Sequence, residues 1–171
     1  MMKKYIILRI LSLLVSCKNR EIQQNQKLKM PELSIVKKHL TIVSLENVSK
    51  KEMIDWKEYN SLNDFLKRFS SISPNEAINN AVELTKLVKV LKDSIRPKVL
   101  KTPSFKTRIY VLENEALRLK DMTLINVKAK LTADEINKQV SKILNAYSAT
   151  NSKINTVYSQ LEVEKQLKLQ E

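Results

Sequence analysis

The sequence predicts an all-α protein, an antiparallel, up-down bundle of three to four helices that follows an N-terminal tether. Three observations carry this expectation. From about residue 50 onward, apolar residues recur at alternating steps of 4 and 3, the spacing of one buried helix face. Helix-start signatures recur at Ser49, Ser73 and Thr132, each a hydroxyl residue with glutamate three positions later. Glycine is absent from all 171 residues, which removes the commonest helix C-cap together with phosphate-cradling loops and the dinucleotide fingerprint. Nucleotide-binding enzymes of the glycine-loop kinds are thereby excluded, and the length suits one domain with a real core.

Lys3 and Lys4 precede an eleven-residue apolar run, Tyr5 to Val15, interrupted by Arg9 and followed by the small Ser16 and the single cysteine, Cys17. That order is the anatomy of an export leader. The run is too short to span a bilayer, which takes about 20 apolar residues. Leu13-Leu14-Val15-Ser16-Cys17 resembles the lipobox of bacterial lipoproteins, although Arg9 departs from the family's pattern. The resemblance implies cleavage before Cys17, a diacylglycerol on its sulfur and usually a further acyl chain on the new N-terminus. Residues 1–16 would then be a signal peptide and Cys17 the membrane anchor, since two or more acyl chains hold a protein at a membrane stably. Lys18 stands where some Gram-negative relatives carry the Asp that implies inner-membrane retention, so the implied address is the outer membrane, facing the periplasm. With Cys17 acylated no thiol remains for a disulfide or a thiolate metal site.

The formal net charge is +13, and losing Lys3, Lys4 and Arg9 leaves +10. In the cytoplasm such charge points to nucleic acid. An exported, lipidated chain meets anionic lipid, lipopolysaccharide phosphates and acidic proteins instead. The aromatic residues are few and do not alternate with basic ones as a stacking surface requires, so nucleic acid is not an expected partner.

Residues 18–29 are polar, without apolar period, and extend the tether, which runs from residue 17 to residue 46. Within it Leu33, Val36, Leu40 and Val43 fit a short amphipathic helix, but the β-branched Ile35, Thr41, Ile42 and Val43 suit a strand equally well. His39, the only histidine, is expected at or near the surface; a lone histidine without cysteine nearby is a poor metal ligand set.

The bundle domain is expected over residues 47–163. Val48-Ser49-Lys50-Lys51-Glu52-Met53 predicts a helix from Lys50 with Ser49 as its N-cap, and Trp56, Tyr59, Leu62, Leu66 and Phe69 supply its core face, with a break at Asn60-Ser61. Ser73-Pro74-Asn75-Glu76 starts a second helix, proline taking the first helical position. Its seam is Ala77, Ala81, Leu84, Val88, Leu91 and Ile95, and Arg96-Pro97 ends it. Thr102-Pro103 opens a third, with Phe105, Ile109, Leu112, Ala116 and Leu119 inward and Asn126 at its end. Leu131 to Ile136 holds a full capping box before the longest helix, which is expected to run about 45 Å from residue 133 to about 163 with the seam Ile136, Val140, Ile143, Tyr147, Thr150, Ile154, Val157 and Leu161. Its polar end overhangs, and 164–171 reads as a tail. Short links between four such patterns imply up-down antiparallel packing.

The stretch Lys92 to Met122, with Lys101-Thr102-Pro103-Ser104-Phe105 and Asn114-Glu115-Ala116-Leu117-Arg118-Leu119 inside it, together with Tyr147 to Asn155, is similar to uncharacterised flavobacterial helical lipoproteins. That resemblance implies no activity. The residues point the same way. One histidine cannot supply the paired Glu-x-x-His ligands of a di-iron bundle, and Glu113 and Glu115 lie two apart, on different faces of one helix. No cofactor, metal or catalytic residue is expected, and the chain is not expected to be an enzyme. A non-catalytic envelope binding or scaffolding lipoprotein is the expected class, with a periplasmic holdase-like chaperone as the alternative.

The candidate binding residues are Lys92, Arg96, Lys98, Lys101, Lys106 and Arg108, part of a basic run between Lys86 and Arg108 in which Asp93 is the lone acid. Cations suit the C-terminal turn where Lys92 and Arg96 lie, whereas Lys106 and Arg108 lie at a helix start that disfavours them. In an up-down bundle these residues gather at one end. The helix at Lys50 starts at the same end, so the tether is expected to arrive there and to turn the basic pole toward the membrane, to meet anionic lipid or an envelope protein.

Overall fold

The computed structural model describes residues 31–125 and 131–170. The expected signal peptide, Cys17 and the first part of the tether therefore lie outside the described residues, as does Asn126. The protein is mostly helical, with six α-helices among the described residues and one two-stranded sheet. The helices are α1 (Asn47–Met53), α2 (Lys57–Phe69), α3 (Pro74–Asn79), α4 (Ala81–Asp93), α5 (Pro103–Ile125) and α6 (Ala133–Lys168). Strands β1 (Lys37–Lys38) and β2 (Ser71–Ile72) pair antiparallel, Lys37 opposite Ile72.

Two of the three start signatures form as expected. The Ser73 side chain accepts from the Glu76 N–H while the Glu76 carboxylate accepts from the Ser73 N–H, and Thr132 and Glu135 repeat the arrangement. These bonds satisfy N–H groups that the first helical turn cannot. They also hold the Glu76 and Glu135 carboxyls below the usual carboxylate range.

The third signature is overturned. Helix α1 begins at Asn47, with Glu46 in the cap position and no side-chain cap bond, and Ser49 lies inside the helix, buried with its hydroxyl unpartnered. Glu46 is held there by α6: its N–H donates to Asn155 Oδ1 and its carboxylate accepts from Ser159. A tertiary contact thus places the helix start ahead of the local signal. The break also falls earlier than Asn60-Ser61, at Ile54–Trp56, because the Asn60 amide turns back to donate to the Met53 and Ile54 carbonyls. The run expected from Pro74 to Ile95 is divided at Asn80, whose side-chain amide donates to the Glu76 carbonyl.

The seams are buried as the periodicity requires. Ala77, Ala81, Leu84, Val88, Leu91, Phe105, Ile109, Leu112, Ala116, Leu119, Ile136, Val140, Ile143, Tyr147 and Ile154 belong to one continuous core, which extends from Leu33 to Tyr158. Trp56 is part of it, its ring 5.7 Å from Tyr59 and 6.4 Å from Phe105. The seam of α6 is wider than expected, since Asn137, Gln139, Asn151, Asn155 and Tyr158 are buried beside it. At its far end Leu161 is exposed, and the helix continues to Lys168.

Bonds between helices define directions pairwise. Thr85 meets the Ala116 carbonyl and Lys92 meets Glu113, so α4 and α5 run antiparallel. Tyr59 meets Asn151 and Tyr147 meets Asn63, so α2 and α6 do too. Gln139 reaches Glu115, linking α6 to α5.

Residues 31–46 do not form the short helix that Leu33, Val36, Leu40 and Val43 allowed. A single 3-10 turn, Pro31–Ser34, places Leu33 in the core; β1 follows, and then an extended strap from His39 to Glu46. Val36, Leu40 and Val43 are exposed.

Candidate functional site

The six candidate residues flank the turn between α4 and α5 and so gather at one end, whereas Lys86, next to the Thr85 that meets the Ala116 carbonyl, lies along the body. Leu100, fully buried in the short turn between α4 and α5, seals that end, and Trp56 packs against Phe105 at the start of α5. The six candidate residues separate into two groups. Lys92 is ion-paired to Glu113 at 2.6 Å; that hydrogen bond raises its pKa above the usual lysine value. Arg96 pairs with Glu58 at 3.0 Å across to α2, and the bond holds the Glu58 carboxyl below the usual range. Arg108 donates to the carbonyl and hydroxyl oxygens of Ser104, which offsets its position in the first turns of α5. Lys98, Lys101 and Lys106 are exposed and make no ion pair among the described residues.

Lys50, Lys51 and Lys57 add three exposed cations at this end, with Glu52 and Asp55 beside them. They are distant in sequence from the run between Lys86 and Arg108, so a charge count along the chain does not associate them with it. Glu113 and Glu115 are confirmed on different faces. Glu113 serves Lys92 on α4, and Glu115 binds Arg118 and accepts from Gln139 on α6. No group of three His, Cys, Asp or Glu side chains comes together among the described residues, and no described helix is long and apolar enough to cross a membrane.

The chain does not arrive at this end. Ser34 accepts from Asn75 on α3, and residues 32–38 lie beside Thr132 to Asn137, at the start of α6. From there the strap runs the length of α6 on a ladder of side chains. His39 bonds Ser141; the Val43 N–H donates to Ser148; Asn151 donates to the Val43 carbonyl at 2.7 Å; and Asn155 both donates to the Ser44 carbonyl and accepts from the Glu46 N–H. Ser159 completes the ladder by donating to Glu46. Ser141 to Ser159 spans about 27 Å of helix, which matches about 23 Å for seven extended residues. Helix α1 does start at the basic end, as expected, but the tether joins the body at the opposite end, about 30 Å away along α6.

Ser141 donates its own proton to the Asn137 carbonyl, so His39 Nδ1 is the donor in their contact and Nε2 is left buried without a partner. Burial, reinforced by the charge of Lys37, pushes the His39 pKa below its ordinary value. The imidazole is therefore a neutral fastener of the strap.

Between the strap and α2 lies a cleft of about 620 Å³ that sequence reasoning did not anticipate. Its floor is a buried polar network. Tyr59 donates to Asn151 Oδ1, Tyr147 donates to Asn63 Oδ1, and the two rings stack at 6.2 Å. Burial pushes the Tyr59 hydroxyl up to about 12, and that of Tyr147 well above its usual value. The available signal was the stripe Ser141, Ser148, Asn151, Asn155 and Ser159 at helical spacing beside an apolar seam, an amphipathic helix with a small-polar flank.

Comparison with protein-family models, with curated proteins and with solved structures finds no match to this chain.

Proposed function

We propose that this protein is a non-catalytic scaffolding module of a bacterial envelope, anchored through acyl chains on Cys17 in the outer membrane and facing the periplasm. Its body is an up-down antiparallel bundle, and its basic pole is a docking surface for an acidic envelope protein. The observation that carries the docking surface is the division of the pole: Lys92, Arg96 and Arg108 are consumed by intramolecular bonds, while Lys98, Lys101 and Lys106 are exposed and unpaired among the described residues. Charges tied to Glu113 and Glu58 stabilise the body; charges left in solvent stabilise nothing and are available to a partner.

The direction of the pole separates a protein partner from the anchoring membrane. A chain that joins the body beside the start of α6 and carries lipid at Cys17 holds that end nearer the bilayer, with the lysines about 30 Å further out. Complementary charge at such a pole speeds encounter with an acidic surface and weakens as salt rises.

The test is site-specific photocrosslinking of the full chain in living cells, from Lys101 at the pole and from Lys138 near the start of α6. Crosslinks from position 101 should go to one or two defined proteins and disappear when the flanking Lys98 and Lys106 become Glu, whereas position 138 should not capture the same proteins. Crosslinks from 101 mainly to lipid would assign the pole to the membrane and sink the docking reading. An intact mass without acyl chains would sink the anchor, as would recovery of wild type and Cys17→Ala in the same soluble fraction.

A further inference from the structure

The cleft beside the strap has a chemical character of its own; it shares Lys50 with the basic end but none of Lys98, Lys101 and Lys106. Its size falls within the range of small-molecule sites, roughly 300–1,000 Å³. Its lining divides into an apolar part, Ile42, Leu45, Met53 and Ile54, and a basic part, Lys38, Lys50 and Lys67, and it includes no carboxylate. Lys67 is engaged with Asp64 at 2.8 Å. Lys38 and Lys50 make no ion pair among the described residues.

The hydrogen-bond network decides which polar groups on the lining are still available. Tyr59 spends its proton on Asn151, Asn151 spends its nitrogen on the Val43 carbonyl, and Asn60 spends its nitrogen on the Met53 and Ile54 carbonyls. Asn63 is different. Its oxygen accepts from Tyr147, which sets the orientation of the amide, and its nitrogen has no partner among the described residues. The donors left to the cleft are thus the Asn63 amide, the ammonium groups of Lys38 and Lys50, and the hydroxyls of Thr41, Ser44 and Ser71 on its lining. Next to them is an apolar wall that such donors do not satisfy.

From this juxtaposition we infer that the cleft is a binding site for a single-chain amphiphile with an anionic head, a carboxylate or a phosphate. The head takes the Asn63 amide by a charge-assisted hydrogen bond, while Lys38 and Lys50, toward opposite ends of the cleft, supply a positive potential along it. The chain lies against Ile42, Leu45, Met53 and Ile54, where burying its methylenes removes apolar surface from water. The strap forms one wall, so the bound molecule also bridges the strap to α2.

The experiment is calorimetric titration of the full chain carrying Cys17→Ala, which removes the protein's own acylation, with four probes kept below their micelle concentrations: decanoate, decyl phosphate, inorganic phosphate and decanol. One of the two amphiphilic anions should bind at a single site at least tenfold more tightly than either inorganic phosphate or decanol, and the stronger of the two identifies the head group. Asn63→Asp keeps an oxygen for Tyr147 but puts a negative charge where the donor was; it should weaken binding at least tenfold. Lys50→Gln, at an exposed position that folding does not need, should weaken it in the same direction. Lys98→Glu with Lys101→Glu and Lys106→Glu should leave it unchanged. Equal binding of decanol, equal binding of inorganic phosphate, indifference to both cleft variants, or a loss on changing the pole would each overturn the assignment.

Discussion

Replacing Asn155 by alanine tests whether the strap is held by the α6 ladder. Asn155 makes two of its bonds, accepting from the Glu46 N–H and donating to the Ser44 carbonyl, both at 3.0 Å. A neutral hydrogen bond contributes about 0.5–1.5 kcal/mol net. Ser44 and Glu46 are exposed, so water can take over their backbone groups, and the expected cost lies at the lower end, about 1–2 kcal/mol for holding the strap. Little of that should appear in global stability, because Leu40 and Val43 are exposed and contribute little apolar burial. The suitable assay is amide hydrogen exchange at Val43 and Glu46, whose N–H groups are held only by side-chain oxygens of α6. With about 1.4 kcal/mol per factor of ten, both amides should exchange about 5- to 30-fold faster in Asn155→Ala, while amides in the middle of α5 keep their protection. Asn151→Ala should go further. Asn151 is 1% exposed, and its loss leaves the Tyr59 hydroxyl without a partner, adding about 1–3 kcal/mol that global unfolding will register. An unprotected Glu46 amide in the wild type, or unchanged exchange in Asn155→Ala, would refute the ladder.

Three further outcomes follow from the same structure. Leu84→Ala, Leu112→Ala and Ile143→Ala, each at a fully buried seam position, should each cost about 2–5 kcal/mol in denaturant unfolding, against about 0.5 kcal/mol or less for Glu83→Ala or Lys142→Ala on the exposed faces. Ser73→Ala and Thr132→Ala should each cost about 1 kcal/mol through loss of a working cap, whereas Ser49→Ala should be neutral or stabilising, since it removes a buried hydroxyl that has no partner; a cost at Ser49 equal to that at Ser73 would restore it as a cap. Because burial raises the Tyr59 pKa to about 12, the phenolate is favoured only on unfolding: this contribution is intact below about pH 10 and is lost as pH rises toward 12, by about 2–3 kcal/mol. Tyr59→Phe should flatten the alkaline limb of a stability–pH profile, and an unchanged limb would contradict the buried network.

The core was legible because helix burial is a local, periodic property. Once Ala81, Pro103 and Ala133 begin helices, steps of 4 and 3 place Leu84, Leu112 and Ile143 inward whatever they meet. The caps at Ser73 and Thr132 were equally legible, since each closes its bonds within three residues. Ser49 shows where that reasoning fails. It carries the same local signature, but Asn155 and Ser159, more than a hundred residues away, capture Glu46 and move the helix start ahead of it. The basic run was readable as composition. Its division into Lys92, Arg96 and Arg108, which are bonded, and Lys98, Lys101 and Lys106, which are not, depends on Glu58, Glu113 and Ser104 coming into reach.

By itself, then, the sequence determined the helical class, the core seams and three of the helix starts, at Pro74, Pro103 and Ala133, because each is set by residues within one or two turns of one another. Only the tertiary structure decided the path of residues 31–46. Their β-branched and apolar residues fit helix and strand alike, and the groups that resolve the choice sit on Ser141, Ser148, Asn151, Asn155 and Ser159 of α6, supplying to an extended backbone the hydrogen bonds it cannot make within itself. The position where the tether joins the body follows from that path, and so does the cleft beside it.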